Sequence, residues 1–125
     1  MNHDDHVALL RGGIEQTGRV WADFGSGTGA FTLALAELIG RAGVIYSIEQ
    51  DRSALAQQER SLRERFPDSI VHYRAADFTR PIPDGVPPLD GIVMANALHF
   101  QRRPEPIVQL LKRVTLWCDR YLKFR

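Results

Sequence analysis

A chain of 125 residues has room for one domain with a real hydrophobic core and not for two. Hydrophobic residues at 44% and charged residues at 25% are those of an ordinary soluble globular protein, and a formal net charge of +1 carries no nucleic-acid or membrane signature. Cys118 is the single cysteine, which excludes an intramolecular disulfide and a cysteine metal site, and no uninterrupted apolar run approaches membrane-spanning length.

Met1-Asn2-His3-Asp4-Asp5 lacks the basic region and apolar stretch of a secretion signal, so a cytoplasmic location is expected. Asp4 or Asp5 is placed to cap a short first helix, Val7-Ala8-Leu9-Leu10-Arg11, which Gly12-Gly13 stops. His3 and His6 have no companion ligands at metal spacing and read as surface residues. Arg19 to Phe24 forms the first strand. It runs into Gly25-Ser26-Gly27-Thr28-Gly29, three glycines in five residues, and a helical segment follows at once. Glycine permits positive φ in a sharp turn and lets a ligand lie against bare backbone, while amides at the helix start face whatever sits in the turn. This stretch reads as a ligand site rather than a turn packed for its own sake.

In the helix after it, Phe31, Leu35, Leu38 and Ile39 recur at helical spacing, with Ala30, Ala34 and Ala36 allowing close approach to a sheet; Gly40 and Gly43 end it. Val44 to Glu49 is a nearly continuous apolar run that suits a strand covered on both faces. Arg52 to Phe66 is a helix with Leu55, Leu62 and Phe66 inward and a polar outer face. Ile70 to Arg74 alternates as a third strand, on which His72 reads as packed or solvated rather than catalytic. Prolines 81, 83, 87 and 88 with Gly85 make 79–89 a loop, and Gly91 to Ala95 is a fourth strand. Pro104-Glu105-Pro106 opens a last helix whose apolar positions Ile107, Leu110, Leu111, Val114, Trp117, Tyr121 and Leu122 keep helical spacing. The basic residues of this last third read as its solvated face.

Strands alternating with helices predict a single α/β domain over 1–125, a three-layer α/β/α sandwich with a parallel sheet. Right-handed crossovers favour strand order 3-2-1-4, with the ligand at the carboxyl ends near the switch between strands one and four. Asp23, Gly25, Glu49, Asp77 and Asn96 all fall at or just after strand ends and would share that crevice.

Gly25-x-Gly27-x-x-Ala30 satisfies the dinucleotide fingerprint, but Asp23 would set a carboxylate close to a pyrophosphate. A ligand with a cationic group is favoured instead. S-adenosyl-L-methionine (SAM) offers an α-ammonium, a free ribose diol and no phosphate. Glu49 follows the turn at the interval of a ribose-binding acid, and a carboxylate can accept from two adjacent hydroxyls at once. Asp77-Phe78 supplies an acceptor for an exocyclic amine beside an aromatic wall. Asn96 either hydrogen-bonds a ligand or satisfies its own turn, and His99 is a candidate acceptor-side base or a loop histidine.

With these residues assembled, the sequence resembles the class I SAM-dependent methyltransferases, which are Rossmann-like. The carriers are Asp23-Phe24-Gly25-Ser26-Gly27-Thr28-Gly29, Glu49-Gln50-Asp51, Ala76-Asp77-Phe78 and Leu89-Asp90-Gly91-Ile92-Val93-Met94-Ala95-Asn96, across roughly Val7 to Arg113. The resemblance implies that Asp23 and the turn from Phe24 to Gly29 hold the methionine part. It likewise implies Glu49 for the ribose hydroxyls, Gln50, Asp77 and Phe78 for adenine, and Asn96 near the methionyl group. The implied reaction is in-line transfer of the sulfonium methyl to an unidentified acceptor. Such a reaction asks a protein for alignment and exclusion of water, and for a base only where the acceptor must lose a proton. Two other readings stay open: an NAD(P)-binding oxidoreductase domain, and a non-catalytic SAM-binding or assembly module.

The family continues with a glycine-containing turn and further strands, whereas Val114 to Arg125 contains no glycine and reads as helix to the end. The expectation is a domain lacking the family's later strands, in which strand four is a bare apolar edge. Such an edge invites a homodimer or a partner chain, through strand four and the last helix.

Overall fold

In a computed structural model the chain is described at residues 2–14, 17, 19–77, 80 and 85–94, and in backbone alone at 122–123. Its elements are α1 (His3–Arg11), β1 (Val20–Phe24), α2 (Ala30–Ile39), β2 (Val44–Glu49), α3 (Arg52–Arg65), β3 (Ile70–Ala75), β4 (Gly91–Met94) and β5 (Leu122–Lys123). The sheet order is β3-β2-β1-β4-β5, and every neighbouring pair is parallel. The four expected strands thus stand in the expected order 3-2-1-4, in a Rossmann-like α/β fold. Calls on Phe78, Ala95, Asn96, His99 and the helix from Pro104 lie outside the described residues.

Period-two alternation along β1, β2 and β4 divides the core between the two faces of the sheet. Trp21, Ile45 and Val93 meet α1, α2 and Leu62 of α3 on one face. Ala22, Phe24, Tyr46, Ile48, Ile92 and Met94 pack with Leu89 on the other. Strands buried on both sides need apolar residues at successive positions, which is why Val44 to Glu49 reads as a continuous apolar run. Gly91 is required by packing: a Cβ there would come within 2.3 Å of the Trp21 ring, so its absence lets the indole lie across β4.

Three expectations are corrected. The first helix begins at His3 and is capped by Asn2, not by Asp4 or Asp5. Asn2 Oδ1 accepts from the Asp5 amide at 2.9 Å, and the Asn2 amide donates back to Asp5 Oδ2 at 3.0 Å, so Asp5 supplies the reciprocal half of a capping box. His3 and His6 are not surface residues but half-buried on the inner face of α1. The His6 ring lies 4.6 Å from that of Phe31, and His3 Nε2 is 3.1 Å from Glu37 Oε1. Histidine offers an apolar ring with a polar rim, which suits the border of a helix–helix contact.

The third correction concerns the sheet edge. Leu122–Lys123 is strand, not the continuation of a helix, and it pairs in parallel with Val93 and Met94. Strand four is therefore interior, as its uniformly buried residues require, and the reason for expecting a partner chain along it is removed.

Candidate functional site

The carboxyl ends of β1, β2 and β3 bring the glycine turn, Glu49 and Asp77 to one end of the sheet. The turn is fastened to β2, because the amides of Gly25 and Ser26 both donate to the Ile48 carbonyl, at 2.9 and 3.1 Å. Gly25, Gly27 and Gly29 adopt φ of 70°, 58° and 94°, the left-handed region that L side chains disfavour. Their surroundings differ. A Cβ at Gly27 would meet nothing within 4 Å, so the outer side of the turn is open there. A Cβ at Gly29 would sit 2.5 Å from the Cβ of Gln58, so that glycine permits α2 and α3 to approach.

Glu49 is held by backbone on both sides. Its Oε1 accepts from the Gly27 amide and its Oε2 from the Asp51 amide, each at 2.9 Å. A carboxylate has about four acceptor sites, so two remain after these bonds are made. Asp51 begins α3 as its cap, accepting from the amides of Ser53 and Ala54, which fixes the segment Glu49-Gln50-Asp51. Gln50 itself is exposed.

Asp23 lies beneath the turn, 2% exposed, and Oδ2 accepts from the Thr32 hydroxyl at 2.8 Å. Burial pushes its pKa up to about 7; the Thr32 bond opposes that shift and the nearby Glu49 charge adds to it. A carboxyl so placed gains most from a cation. Asp77 is half-buried after β3, with Oδ2 3.8 Å from Arg80 Nε. Thr28 is exposed on the turn and Ser26 half-buried. Phe24 stands apart: its side chain is 1% exposed in the second core cluster, so only its backbone belongs to the site.

Sequence reasoning missed three buried polar residues: Thr32, Ser47 and Gln58. Ser47 Oγ lies 2.7 Å from both Ser26 Oγ and Gln58 Oε1, while Gln58 Nε2 lies 2.8 Å from Ser26 Oγ and from the Gly27 carbonyl. The signal for Gln58 was its spacing, three residues after Leu55 and four before Leu62 on one helix face. Ser47 was the one polar residue inside an apolar strand. Among the described residues no group of three or more His, Cys, Asp or Glu side chains is arranged to hold a metal ion. No described helix is long and apolar enough to cross a membrane.

A parallel sheet whose inner strands are buried on both faces, with a glycine turn after its first strand and an acid after its second, is the frame of a Rossmann-like α/β domain. The particular kind follows from comparison. A family model described as a methyltransferase domain matches residues 22–116, and the chain belongs to that family. No curated protein matches the sequence. Among solved structures, a SAM-dependent methyltransferase from Aquifex aeolicus is similar with a TM-score of 0.71 and 23% identity, over 88% of this chain and 57% of that one. A methyltransferase from Clostridium acetobutylicum has a TM-score of 0.76 at 11% identity, over 94% and 47%. Coclaurine N-methyltransferase, bound to N-methylheliamine and S-adenosylhomocysteine (SAH), has a TM-score of 0.74 at 22% identity, over 93% and 33%. At these identities the likeness is one of fold. The chain spans between a third and three-fifths of the length of these proteins.

Proposed function

We propose that this domain binds SAM and belongs to a SAM-dependent methyltransferase acting on an acceptor yet to be identified. One observation carries the reading: the Glu49 carboxylate is held by the Gly27 and Asp51 amides beside the open side of Gly27, with two acceptor sites left. That arrangement suits a ribose diol lying along the turn. The buried Asp23 supports the cofactor's α-ammonium, since an arriving cation offsets the cost of ionising it. A dinucleotide brings two phosphates to the same place and gains nothing from Asp23. SAH bound to coclaurine N-methyltransferase supports the same assignment by likeness of fold.

Within this reading Asp23 and the turn, Gly25, Ser26, Gly27, Thr28 and Gly29 with the Phe24 backbone, take the methionine part. Glu49 takes the ribose, Gln50, Asp77 and Phe78 the adenine, and Asn96 the neighbourhood of the methionyl group. His99 is the candidate base for an acceptor that must lose a proton. When bound, SAM supplies a methyl carbon made electrophilic by its sulfonium. The chain's own part is to fix the adenosine, hold the ammonium in register and exclude water from the line of attack.

Titration calorimetry of the purified chain with SAM, SAH and NAD tests this. Heat with SAM and SAH and none with NAD is expected. Tight NAD binding without SAM heat overturns the proposal.

A further inference from the structure

We propose that Gln58 of α3 is a positioning residue that sets the cofactor turn from beneath; the proposal rests on the SAM reading above. Gln58 is fully buried, yet its whole amide is engaged by the turn and by β2. Counting hydrogens gives each bond its direction. The Gly27 carbonyl can only accept, so the Gln58 group facing it at 2.8 Å is the Nε2 amine, and the amide cannot be reversed. Gln58 Oε1 can only accept, so the single Ser47 hydroxyl hydrogen points to it at 2.7 Å. Ser26 Oγ then receives the second Nε2 hydrogen at 2.8 Å and gives its own hydrogen to Ser47 Oγ at 2.7 Å. The triangle of Ser26, Ser47 and Gln58 closes with one donor for every acceptor. A closed buried network of this kind admits one arrangement and rigidifies what it holds.

What it holds is the Gly27 residue. Gln58 Nε2 grips the Gly27 carbonyl from inside the fold, while the Gly27 amide donates to Glu49 Oε1 at 2.9 Å. Two consecutive peptide planes are therefore pinned, one by Gln58 and one by the acid assigned to the ribose. The side of Gly27 away from the protein is open. Gln58 acts on the ligand through Gly27 and Glu49 without touching it. Its Cβ also faces Gly29, where a side chain would come within 2.5 Å, so the same residue sets the height of α3 under the turn.

The test is a double-mutant cycle read by SAH calorimetry, with thermal midpoints measured alongside. Gln58→Met keeps the Cβ contact with Gly29 and most of the volume while removing the amide. We expect it to bind SAH about tenfold more weakly, the order of one or two lost neutral hydrogen bonds. Glu49→Gln should cost less affinity in the Gln58→Met background than in wild type, since the two residues pin the two peptide planes that meet at Gly27. A purely structural role lowers the midpoint and leaves SAH affinity unchanged, or gives additive losses; either outcome overturns the proposal. Should Gln58→Met fail to fold, Ser47→Ala removes the donor to Gln58 Oε1 and opens the closed triangle. Weaker SAH binding by a folded Ser47→Ala variant supports the proposal, and wild-type affinity overturns it. Absence of SAH binding by the wild-type chain overturns the cofactor reading itself, whereas wild-type binding matched by both variants overturns the role of Gln58 alone.

Discussion

Asp23 ties the chemistry of the site to pH. Its carboxyl titrates near 7 in the folded chain, against an ordinary value of 3.8, chiefly because it is buried. Between those values the unfolded chain has released the proton that the folded chain keeps. Stability without ligand therefore falls as pH rises from about 4 to about 7 and levels off above that. Asp23→Asn has no such titration, so its thermal midpoint should gain on that of wild type across this window. An ammonium brought by a ligand acts in the opposite sense, drawing the Asp23 pKa down. SAH binding near pH 6 is thus expected to release a proton, read by calorimetry in buffers of different ionisation enthalpy. Binding without proton release would place the ammonium away from Asp23.

At the scale of elements, the glycine turn divides its labour between ligand and packing. Gly27 leaves its outer side open, whereas Gly29 is bare because α3 presses the Gln58 Cβ against it. Gly29→Ala combines a φ of 94° with a 2.5 Å approach to a buried side chain. Strain and overpacking together are expected to cost about 2–4 kcal/mol, measured by denaturant unfolding. An alanine that left stability unchanged would mean that α2 and α3 separate freely at that point. The partnership of Asn2 with Asp5 belongs to the same scale: it starts α1 four residues before Val7, so His3 and His6 reach the face that meets α2.

For the molecule as a whole, the sheet runs outward from β1 in both directions, ending at β3 on one side and at β5 on the other. The two ends differ. β3 shows exposed and half-buried positions, with His72 and Arg74 among them, as befits an edge. β4 is buried at all four positions and is paired on its outer side by β5. Deleting residues 122–125 would expose the backbone of Val93 and Met94 along an apolar strand. The shortened chain is expected to associate or precipitate where the parent does not, as followed by light scattering. A shortened chain that stays monomeric at high concentration would show that β5 contributes nothing to covering that edge.

Much of this was written locally. Apolar runs ending in acids, a glycine turn followed at once by helix, and prolines clustered in 79–89 are signals carried by a few neighbouring residues, and they determined the strands and the place of Glu49; the order 3-2-1-4 followed from them through the right-handedness of parallel crossovers. An N-cap is decided by where the first turn closes, and three capping residues within four positions, Asn2, Asp4 and Asp5, leave that open in the sequence. β5 was hidden for a stronger reason. A two-residue strand has no periodicity of its own, and Leu122–Lys123 extends only because β4 offers an unpaired ladder. Gln58 shows the same limit at the site. A glutamine on a helix with polar neighbours belongs in water unless a buried carbonyl and two hydroxyls wait for it, and only the packing of α3 under the turn brings Gly27, Ser26 and Ser47 to its amide.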